Sequence, residues 1–299
     1  MKDDNFLAGS LGGSIVALVT PMHADGSVDL DTWCSLIDWH LDSGTDGLVV
    51  AGTTGESATL AQDDYDSLLS AAVERVNGRI AVLAGTGSAS TANVIRDSRR
   101  AARLGADAVL VVAPYYNRPP QRGLIAHYRA VAEASAVPVV LYNVPSRTVT
   151  DLLPETAIVL AEHENIIAIK EGVPDPARLQ QLIEAGVPVL SGDDPSALMA
   201  MRMGAKGVIS VIANIAPVQT SAVCRAALAG DYENAERITA ALEPIIGFLN
   251  IETNPIPVKW MLAELGRIKP YLRLPLVELS AEHHEAGHKV LQVLSGIEA

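Results

Sequence analysis

Lys170 follows directly after an apolar run, Ile-Ile-Ala-Ile, at residues 166–169. Such a run predicts a buried strand, and a lysine at its end would project its amine into a pocket at the mouth of that strand. Because burial disfavours the charged ammonium, a lysine in this position can attack a carbonyl as a neutral amine and form a Schiff base. A surface lysine or an ion-paired lysine produces the same pattern, so the interpretation depends on the residues that accompany it.

Other groups with useful chemistry also follow short apolar runs. Glycines flank Thr53 and Thr54, so backbone N–H groups and two hydroxyls could bind a carboxylate there. A turn that caps the next helix is an equal alternative. Tyr142 could relay a proton, although a buried tyrosine with a satisfied hydroxyl is the ordinary alternative. Arg147 could bind a second carboxylate with its forked guanidinium, or lie in a surface loop.

Two further motifs are weaker indications of function. Residues 85–87, Gly-Thr-Gly, follow an apolar run but lack the third glycine of the dinucleotide-binding fingerprint, so nucleotide binding is not expected. Residues 284–288, His-Glu-Ala-Gly-His, match the H-E-x-x-H pattern of zinc proteases, yet no third ligand follows except the distant Glu298. Gly287 also weakens the helix that would align the two histidines, so we expect a solvated helix face.

The elements that would hold these residues repeat along the chain. Eight continuous apolar runs alternate with segments of helical periodicity, and such non-alternating runs indicate strands that are buried on both faces of a parallel sheet. Eight strand–helix repeats in about 230 residues predict an α/β fold, a (β/α)8 TIM barrel, rather than an open doubly wound sheet. The strands are predicted at residues 15–19, 47–50, 80–84, 108–112, 139–142, 166–170, 188–191 and 207–211.

The pattern changes after residue 230. Residues 232–249, 257–265 and 281–294 have the periodicity of amphipathic helices, with no strand between them. We therefore expect a catalytic barrel at residues 1–230 and a C-terminal helical region at residues 231–299 that packs on it. In a barrel the active site lies at the C-terminal ends of the strands, where Lys170, Tyr142 and the two threonines are predicted.

Composition restricts the class of protein. The chain has 299 residues, of which 49% are hydrophobic and 19% charged, and this is enough for one large globular core. A net charge of −13 and the lack of a basic patch interleaved with aromatic residues argue against nucleic acid as a partner. The sequence shows no signal-peptide pattern and no apolar stretch that could span a membrane, and Cys34 and Cys224 fit neither a disulfide framework nor a zinc site. We expect a reduced, cytoplasmic protein without membrane contact.

Five segments resemble one known family in order and spacing. They are Gly-Thr-Thr-Gly-Glu at 52–56, Pro-Tyr-Tyr-Asn at 114–117, Tyr-Asn-Val-Pro-Ser-Arg-Thr at 142–148, Ile-Lys-Glu at 169–171 and Asn-Pro-Ile-Pro-Val-Lys at 254–259. From residue 13 to its last helix the chain is similar to the 4-hydroxy-tetrahydrodipicolinate synthases, also called dihydrodipicolinate synthases. That family belongs to the pyruvate-dependent Schiff-base aldolases, a superfamily that includes N-acetylneuraminate lyase.

The resemblance implies a lyase of lysine and diaminopimelate biosynthesis that condenses pyruvate with L-aspartate 4-semialdehyde to 4-hydroxy-tetrahydrodipicolinate. It implies an imine between pyruvate and a lysine, and no metal or organic cofactor, because that lysine is the electron sink. It also implies a homotetramer, built as a dimer of dimers, in which one relay tyrosine comes from a neighbouring subunit. The residues that it implies are Lys170, Tyr142, Thr53 and Tyr116 (in trans) as catalytic groups, and Thr54, Ile209 (through its backbone) and Arg147 as substrate-binding groups.

Two departures from the family pattern carry their own expectations. Residues 172–174, Gly-Val-Pro, follow the lysine strand, and the proline removes a backbone donor, so kinetics with the second substrate should differ. Without the glutamate of lysine-inhibited members, the ammonium of bound L-lysine has no paired anion, and we expect weak or no inhibition. The two histidines, the asparagine and the glutamate of those members correspond here to Gln62, Tyr65, Ala89 and Asn93.

Two alternatives stay open on the sequence. A related pyruvate-dependent aldolase could act on N-acetylneuraminate or on a 2-keto-3-deoxy sugar acid, although Arg147 supplies the cation that a carboxylate-bearing semialdehyde needs. A barrel without activity could instead bind a keto acid as a sensor or scaffold. This second alternative is disfavoured because the lysine, both relay tyrosines and Thr53 are all present.

Overall fold

The computed structural model describes residues 11–298 and contains a closed barrel of eight parallel strands. Each strand pairs with its neighbours in sequence, and the last strand pairs with the first to close the ring. The predicted (β/α)8 barrel is therefore confirmed. The strands are β1 (Gly13–Ala17), β2 (Gly47–Val50), β3 (Ala81–Gly85), β4 (Ala108–Val112), β5 (Val139–Asn143), β6 (Ile166–Glu171), β7 (Val189–Ser191) and β8 (Gly207–Ser210).

Helices follow the strands on the outside of the barrel, and aspartate side chains cap several of their N-termini. Asp29 accepts a hydrogen bond from the N–H of Thr32, and Asp175 accepts one from the N–H of Ala177, so exposed donors in the first turn are satisfied. The helices are α1 (Leu30–Asp42), α2 (Gln62–Val76), α3 (Thr91–Arg103), α4 (Gln121–Ala134), α5 (Pro145–Thr148), α6 (Pro154–Ala161), α7 (Pro176–Glu184), α8 (Ala197–Met203), α9 (Pro217–Leu228), α10 (Tyr232–Phe248), α11 (Ile256–Glu264) and α12 (His284–Glu298).

The strands are buried on both faces, as their continuous apolar sequences require. Inward side chains such as Ile15, Leu83 and Val140 form one cluster inside the barrel. Outward side chains such as Val16 and Leu48 belong to a larger cluster that packs against the helices. Successive residues of one strand therefore have different surroundings, and this alternation decides which polar side chains at the strand ends can enter a central pocket.

Seven strands lie within one residue of their predicted ends, and β1 is the exception. It was predicted at residues 15–19 and is found at Gly13–Ala17. The N–H of Leu18 still donates to the carbonyl of Val49 at 3.2 Å, but the N–H of Val19 donates to the side chain of Asn214 at 3.1 Å. A side-chain acceptor thus replaces the strand ladder at this end, and periodicity does not detect such a partner.

The helices after residue 230 share the core of the barrel. Ile245, Met261 and Leu294 belong to the same hydrophobic cluster as the outward strand side chains. The rings of Phe248 and Trp260 lie 5.6 Å apart and join α10 to α11. The division into a barrel at residues 1–230 and a helical region at residues 231–299 stays a prediction. Over residues 11–298, none of the helices combines the length and apolar character that a membrane crossing needs.

One fully buried ion pair joins this helical region to the barrel. Nζ of Lys259, on α11, lies 2.6 Å from Oε1 of Glu56, which follows β2, and both side chains are fully buried. Lys259 also donates to the carbonyl of Thr20 at 2.9 Å, while Glu56 accepts the N–H of Arg273 at 3.1 Å. The two charges are paired and hydrogen-bonded, so the loss of either one would leave the other without compensation in the core.

The first prediction concerns the stability that depends on this pair. Replacing Lys259 by methionine should lower the free energy of unfolding by about 3–5 kcal/mol, because the carboxylate of Glu56 is then buried without its cation. The double variant Glu56→Gln/Lys259→Met should recover much of the loss. Urea unfolding at one fixed protein concentration measures both effects.

The matched control is Lys289→Met, since Lys289 pairs with Glu285 at 2.7 Å on the exposed surface of α12. Its removal should leave the unfolding midpoint almost unchanged, because exposed ion pairs contribute little. Equal destabilisation by Lys259→Met and Lys289→Met would contradict the importance of the buried pair.

Candidate active site

A cavity of about 250 Å³ opens at the C-terminal ends of the barrel strands. The loops after the strands and the end of α10 form its wall, so both the barrel and the helical region contribute to it. This is the end of a barrel at which active sites are found. Five residues predicted from the sequence line it together: Lys170, Tyr142, Thr53, Thr54 and Arg147.

Lys170 and Tyr142 lie side by side at the bottom of the cavity. They are Cα partners in the pairing of β5 with β6, and they are only 6% and 7% exposed. Nζ of Lys170 lies 4.4 Å from the centre of the Tyr142 ring. The predicted proximity of these two side chains is confirmed, and it places a potential nucleophile beside a potential proton carrier.

Gly192, directly after β7, allows Lys170 to occupy this position. A Cβ atom at Gly192 would lie 2.9 Å from Cε and 3.1 Å from Cγ of Lys170. Carbon atoms cannot approach so closely, so any larger residue would displace the lysine side chain. The glycine is thus required by the packing of the lysine stem and not by a turn.

Residues 52–57 form the turn that carries the two threonines. The N–H of Glu56 donates to the carbonyl of Thr53 at 3.1 Å, which closes the turn. Nδ2 of Asn254 donates to Oγ1 of Thr54 at 3.0 Å. Since the Thr54 hydroxyl accepts this bond, its own hydrogen is free to donate to a carboxylate in the cavity.

Arg147 lies at the rim of the cavity on α5. Its Nη2 donates to the backbone carbonyl of Asn254 at 3.2 Å, and the side chain is otherwise exposed. Asn254 thereby contacts Thr54 and Arg147, which lie 200 and 107 residues away from it in sequence. One segment of the helical region thus connects the two groups that could each bind a carboxylate.

Asp194 joins the ends of β7 and β8. Its Oδ2 accepts the N–H groups of Val211 at 2.8 Å and Ile212 at 2.9 Å. Burial of the carboxyl group raises the pKa of Asp194, and the two hydrogen bonds and the charge of Lys170 oppose that rise. A carboxylate near the lysine therefore also fixes the turn that follows the last strand.

Two predicted residues are not part of this cavity wall. The side chain of Ile209 is buried in the inward cluster of the barrel, on β8. Tyr116 is 92% exposed in the loop after β4, with a left-handed φ of 73°. Within a single subunit the structure does not bring Tyr116 to Lys170.

A second cavity of about 580 Å³ adjoins the first and shares Thr53 and Arg147 with it. Its wall includes Tyr65 and Arg96. Nη1 of Arg96 donates to Oδ1 of Asn93 at 2.9 Å, so a guanidinium lies beside the position where lysine-inhibited members carry a glutamate. Arg96 also pairs with Asp97 at 2.9 Å, and both residues line this cavity.

The histidine motif of α12 packs on an aromatic residue. The ring of His284 stacks on Trp260 with centroids 5.2 Å apart, and Nε2 of His288 lies 3.0 Å from Oε2 of Glu264. Gly287 is buried against Trp260. This helix face is therefore partly buried and not fully solvated, which differs from the prediction. Among residues 11–297, no group of three or more His, Cys, Asp or Glu side chains is arranged to hold a metal ion, and the side chain of Glu298 lies outside the described residues.

Several functional contacts were not predicted. Lys259 gave a recognisable signal, because it interrupts the apolar stretch of α11 and a buried lysine needs an anion, but the sequence does not name Glu56 as its partner. Asn254 belongs to the segment 254–259 that carries the family resemblance, but its contact with Thr54, 200 residues away, could not be predicted, and Gly192 gave no signal. These contacts could be found only after the chain had been folded.

Comparison with known proteins agrees with this geometry. Residues 10–294 match the model of the dihydrodipicolinate synthetase family. The chain is 50% identical over 293 residues to the 4-hydroxy-tetrahydrodipicolinate synthase of Stenotrophomonas maltophilia strain K279a, covering 97% of this chain and 98% of that protein. It is 48% identical over 282 residues to the enzyme of the same name from Nitrosomonas eutropha, covering 93% of this chain and 97% of that protein.

A solved structure supports the same assignment. The chloride-inhibited dihydrodipicolinate synthase from Acinetobacter baumannii, complexed with pyruvate, superposes with a TM-score of 0.94 at 44% identity. The match covers 95% of this chain and 99% of that protein. With the barrel, the lysine–tyrosine pair and nearly full-length similarity in agreement, the chain belongs to the dihydrodipicolinate synthetase family.

Proposed function

We propose that this chain condenses pyruvate with L-aspartate 4-semialdehyde and releases 4-hydroxy-tetrahydrodipicolinate, a step of lysine and diaminopimelate biosynthesis. It is an enzyme, a lyase that works through a lysine Schiff base. Relatives that share about half of its residues over nearly the whole chain carry the name of this activity. A structural neighbour with the same fold is complexed with pyruvate.

One observation carries this proposal more than any other. A buried lysine amine lies 4.4 Å from the centre of a phenol ring, in a cavity that also contains two separate groups suited to carboxylates. Pyruvate and aspartate semialdehyde each have one carboxylate. The turn with Thr54 supports binding of the first, and the guanidinium of Arg147 supports binding of the second.

In the first half of the reaction, the neutral amine of Lys170 attacks the C2 carbonyl of pyruvate, and water leaves as the imine forms. Tyr142 and Thr53 carry protons to and from the departing oxygen, with Tyr116 of a neighbouring subunit as the third relay group. Thr54 and the backbone of Ile209 hold pyruvate during these steps. The methyl carbon then loses a proton, and the resulting enamine is the carbon nucleophile.

In the second half, the enamine carbon attacks the aldehyde carbon of the semialdehyde, whose carboxylate is bound by Arg147. The new alkoxide takes a proton and becomes the 4-hydroxyl group. The amine of the semialdehyde then attacks the imine carbon, the bond to Lys170 breaks, and the ring closes with the lysine restored. Because the lysine supplies the electron sink in each step, we expect the reaction to need no metal or organic cofactor. This independence stays a prediction.

The alternative substrates are not favoured. Action on N-acetylneuraminate or a 2-keto-3-deoxy sugar acid would need a site for a polyhydroxylated chain, whereas Arg147 at the rim offers a cation suited to a carboxylate. The relatives described above are synthases. A sensor without activity is also disfavoured, because these relatives are named as enzymes.

The arrangement of subunits is part of the proposal. Tyr116 projects into solvent, far more exposed than a catalytic tyrosine in a closed site, which supports its donation to a neighbouring copy. A homotetramer built as a dimer of dimers would complete the relay in every subunit. The tetramer and the cytoplasmic location stay predictions.

Trapping with borohydride tests the proposed function. Incubation with pyruvate and sodium borohydride should attach reduced pyruvate irreversibly to Lys170, because reduction of the imine gives a stable secondary amine. Mass spectrometry of proteolytic peptides locates the adduct. An adduct on any other residue, or none at all, would refute the mechanism.

The variant Lys170→Arg keeps a positive charge, should give no adduct, and serves as the control. The second substrate requires a separate assay, in which product formation from pyruvate and L-aspartate 4-semialdehyde is compared with cleavage of N-acetylneuraminate. If pyruvate is trapped at Lys170 but the sugar acid is cleaved faster, the imine mechanism is supported and the proposed second substrate is overturned.

Replacing Gly192 by alanine tests the packing of the lysine stem. The added methyl group should displace the side chain of Lys170 and lower kcat on the order of 100-fold, as expected for a misplaced catalytic group. Steady-state kinetics measures the loss. The control is Gly247→Ala on α10, where a Cβ atom meets no other atom within 4 Å, and this variant should keep its rate. Full activity of Gly192→Ala would contradict the packing argument.

Feedback by L-lysine should be weak or absent. The second cavity offers Gln62 and Tyr65 but no glutamate at position 93, and Arg96, paired with Asp97, places a guanidinium next to Asn93, so an ammonium ligand would be poorly compensated. Initial rates with and without millimolar L-lysine measure the effect. The double variant Asn93→Glu/Arg96→Ala supplies an anion and removes the cation, and should become more sensitive. Strong inhibition of the unaltered enzyme would prove the expectation wrong.

A further inference from the structure

A second pair of side chains lies one residue beyond the catalytic pair, on the other face of the same two strands. Asn143 on β5 and Glu171 on β6 are Cα partners, as Tyr142 and Lys170 are. Because side chains alternate along a strand, the catalytic pair points inward to the cavity and this second pair points outward. Nδ2 of Asn143 donates to Oε1 of Glu171 at 3.0 Å, and both outward residues are buried. A direct hydrogen bond thus joins the two strand ends behind the reacting groups.

The outward pair also holds the two loops that border the cavity. Glu171 accepts the N–H of Val173 at 2.8 Å, which fixes the loop after β6. Asn143 accepts the N–H of Leu152 at 2.9 Å and donates to Oδ1 of Asp151 at 3.0 Å, which fixes the end of the loop that carries Arg147. The amide of Asn143 is therefore fully used. Its orientation depends on a carboxylate, not a carboxylic acid, at position 171.

The charges around Glu171 do not balance. Arg178 on α7 contacts both Glu171 and Asp151, so two carboxylates share one guanidinium. On β7 the Cα partner of Glu171 is Ser191, which is uncharged, and Lys170 points to the opposite face. Burial raises the pKa of Glu171 to about 7, although Arg178 and the hydrogen bonds from Val173 and Asn143 oppose that rise.

We propose that Glu171 is a positioning residue of the condensation, which acts through Asn143 to hold Tyr142 against Lys170 and does so only as a carboxylate. The inference rests on the proposed function. When Glu171 takes up a proton, it gains a donor where Asn143 and Val173 donate to it, it loses its attraction to Arg178, and the hydrogen bond between the strand ends is weakened. Tyr142 and Lys170 then lose the support behind them, and the rate falls as the pH is lowered.

The variant Glu171→Gln tests this role, because glutamine resembles the protonated carboxyl group in shape and charge. The assay uses the full-length protein with pyruvate and L-aspartate 4-semialdehyde. Near pH 8.5 the kcat of the variant should be about tenfold below that of the unaltered enzyme, as expected when Tyr142 is slightly misplaced relative to Lys170. The ratio of the two rates should approach one near pH 6, where the unaltered enzyme carries a neutral Glu171. A constant ratio across this range, or equal rates near pH 8.5, would overturn the proposal.

Arg178 offers a second test that does not alter Glu171. Because Arg178 lowers the pKa of Glu171, the variant Arg178→Gln should move the acid midpoint of the pH–rate profile to higher pH, and Arg178→Lys should restore it. A purely structural role would lower the rate without moving the midpoint. An unmoved midpoint in Arg178→Gln, with activity retained, would contradict the titration of Glu171.

Asp46 provides the matched control at the other end of the barrel. Its Oδ2 accepts the N–H of Ser14 at 2.8 Å, so it too anchors a strand through a carboxylate. Asp46→Asn should leave the pH–rate profile unchanged, and a shift equal to that of the Glu171 variant would count against the proposal. If the unaltered enzyme traps pyruvate but shows no activity with the semialdehyde, the proposed function fails, whereas active enzymes with parallel profiles refute only the role of Glu171.

Discussion

The pairing of β5 with β6 is the interaction on which the site depends. Its register places Tyr142 opposite Lys170 on the inner face and Asn143 opposite Glu171 on the outer face. A slip of one residue would exchange inward and outward side chains and put a carboxylate where the amine is needed. The closed barrel opposes such a slip, because every strand is held by a neighbour on each side.

The helical region after the barrel completes this site and does more than cover it. Asn254 contacts the threonine turn and Arg147, while Lys259 forms a buried ion pair with Glu56 at the end of the same turn. Buried ion pairs contribute little net stability, since desolvation offsets their attraction, but each partner strongly requires the other. The pair therefore specifies where the turn lies. In this way the positions of two prospective carboxylate sites depend on one C-terminal segment.

The predictions from sequence succeeded where the physical cause is local. Burial on both faces gives each strand a continuous apolar run, so seven strands were located within one residue. Lys170 and Tyr142 were predicted together because both stand at strand ends, and parallel strands bring their ends to one rim. The prediction was least accurate for β1, beyond whose end the N–H of Val19 donates to the distant Asn214, and for the histidine motif, which packs on Trp260.

The amino-acid sequence thus determines the barrel, the strand ends and the nucleophile, because periodicity and residue type act over a few neighbouring positions. The partners of the buried charges follow only from the folded chain. Glu56 meets Lys259 across 203 residues, and a lysine stem fits against Gly192 only after β6 and β7 have paired. Such contacts depend on the distances between elements, which close packing of the whole core sets.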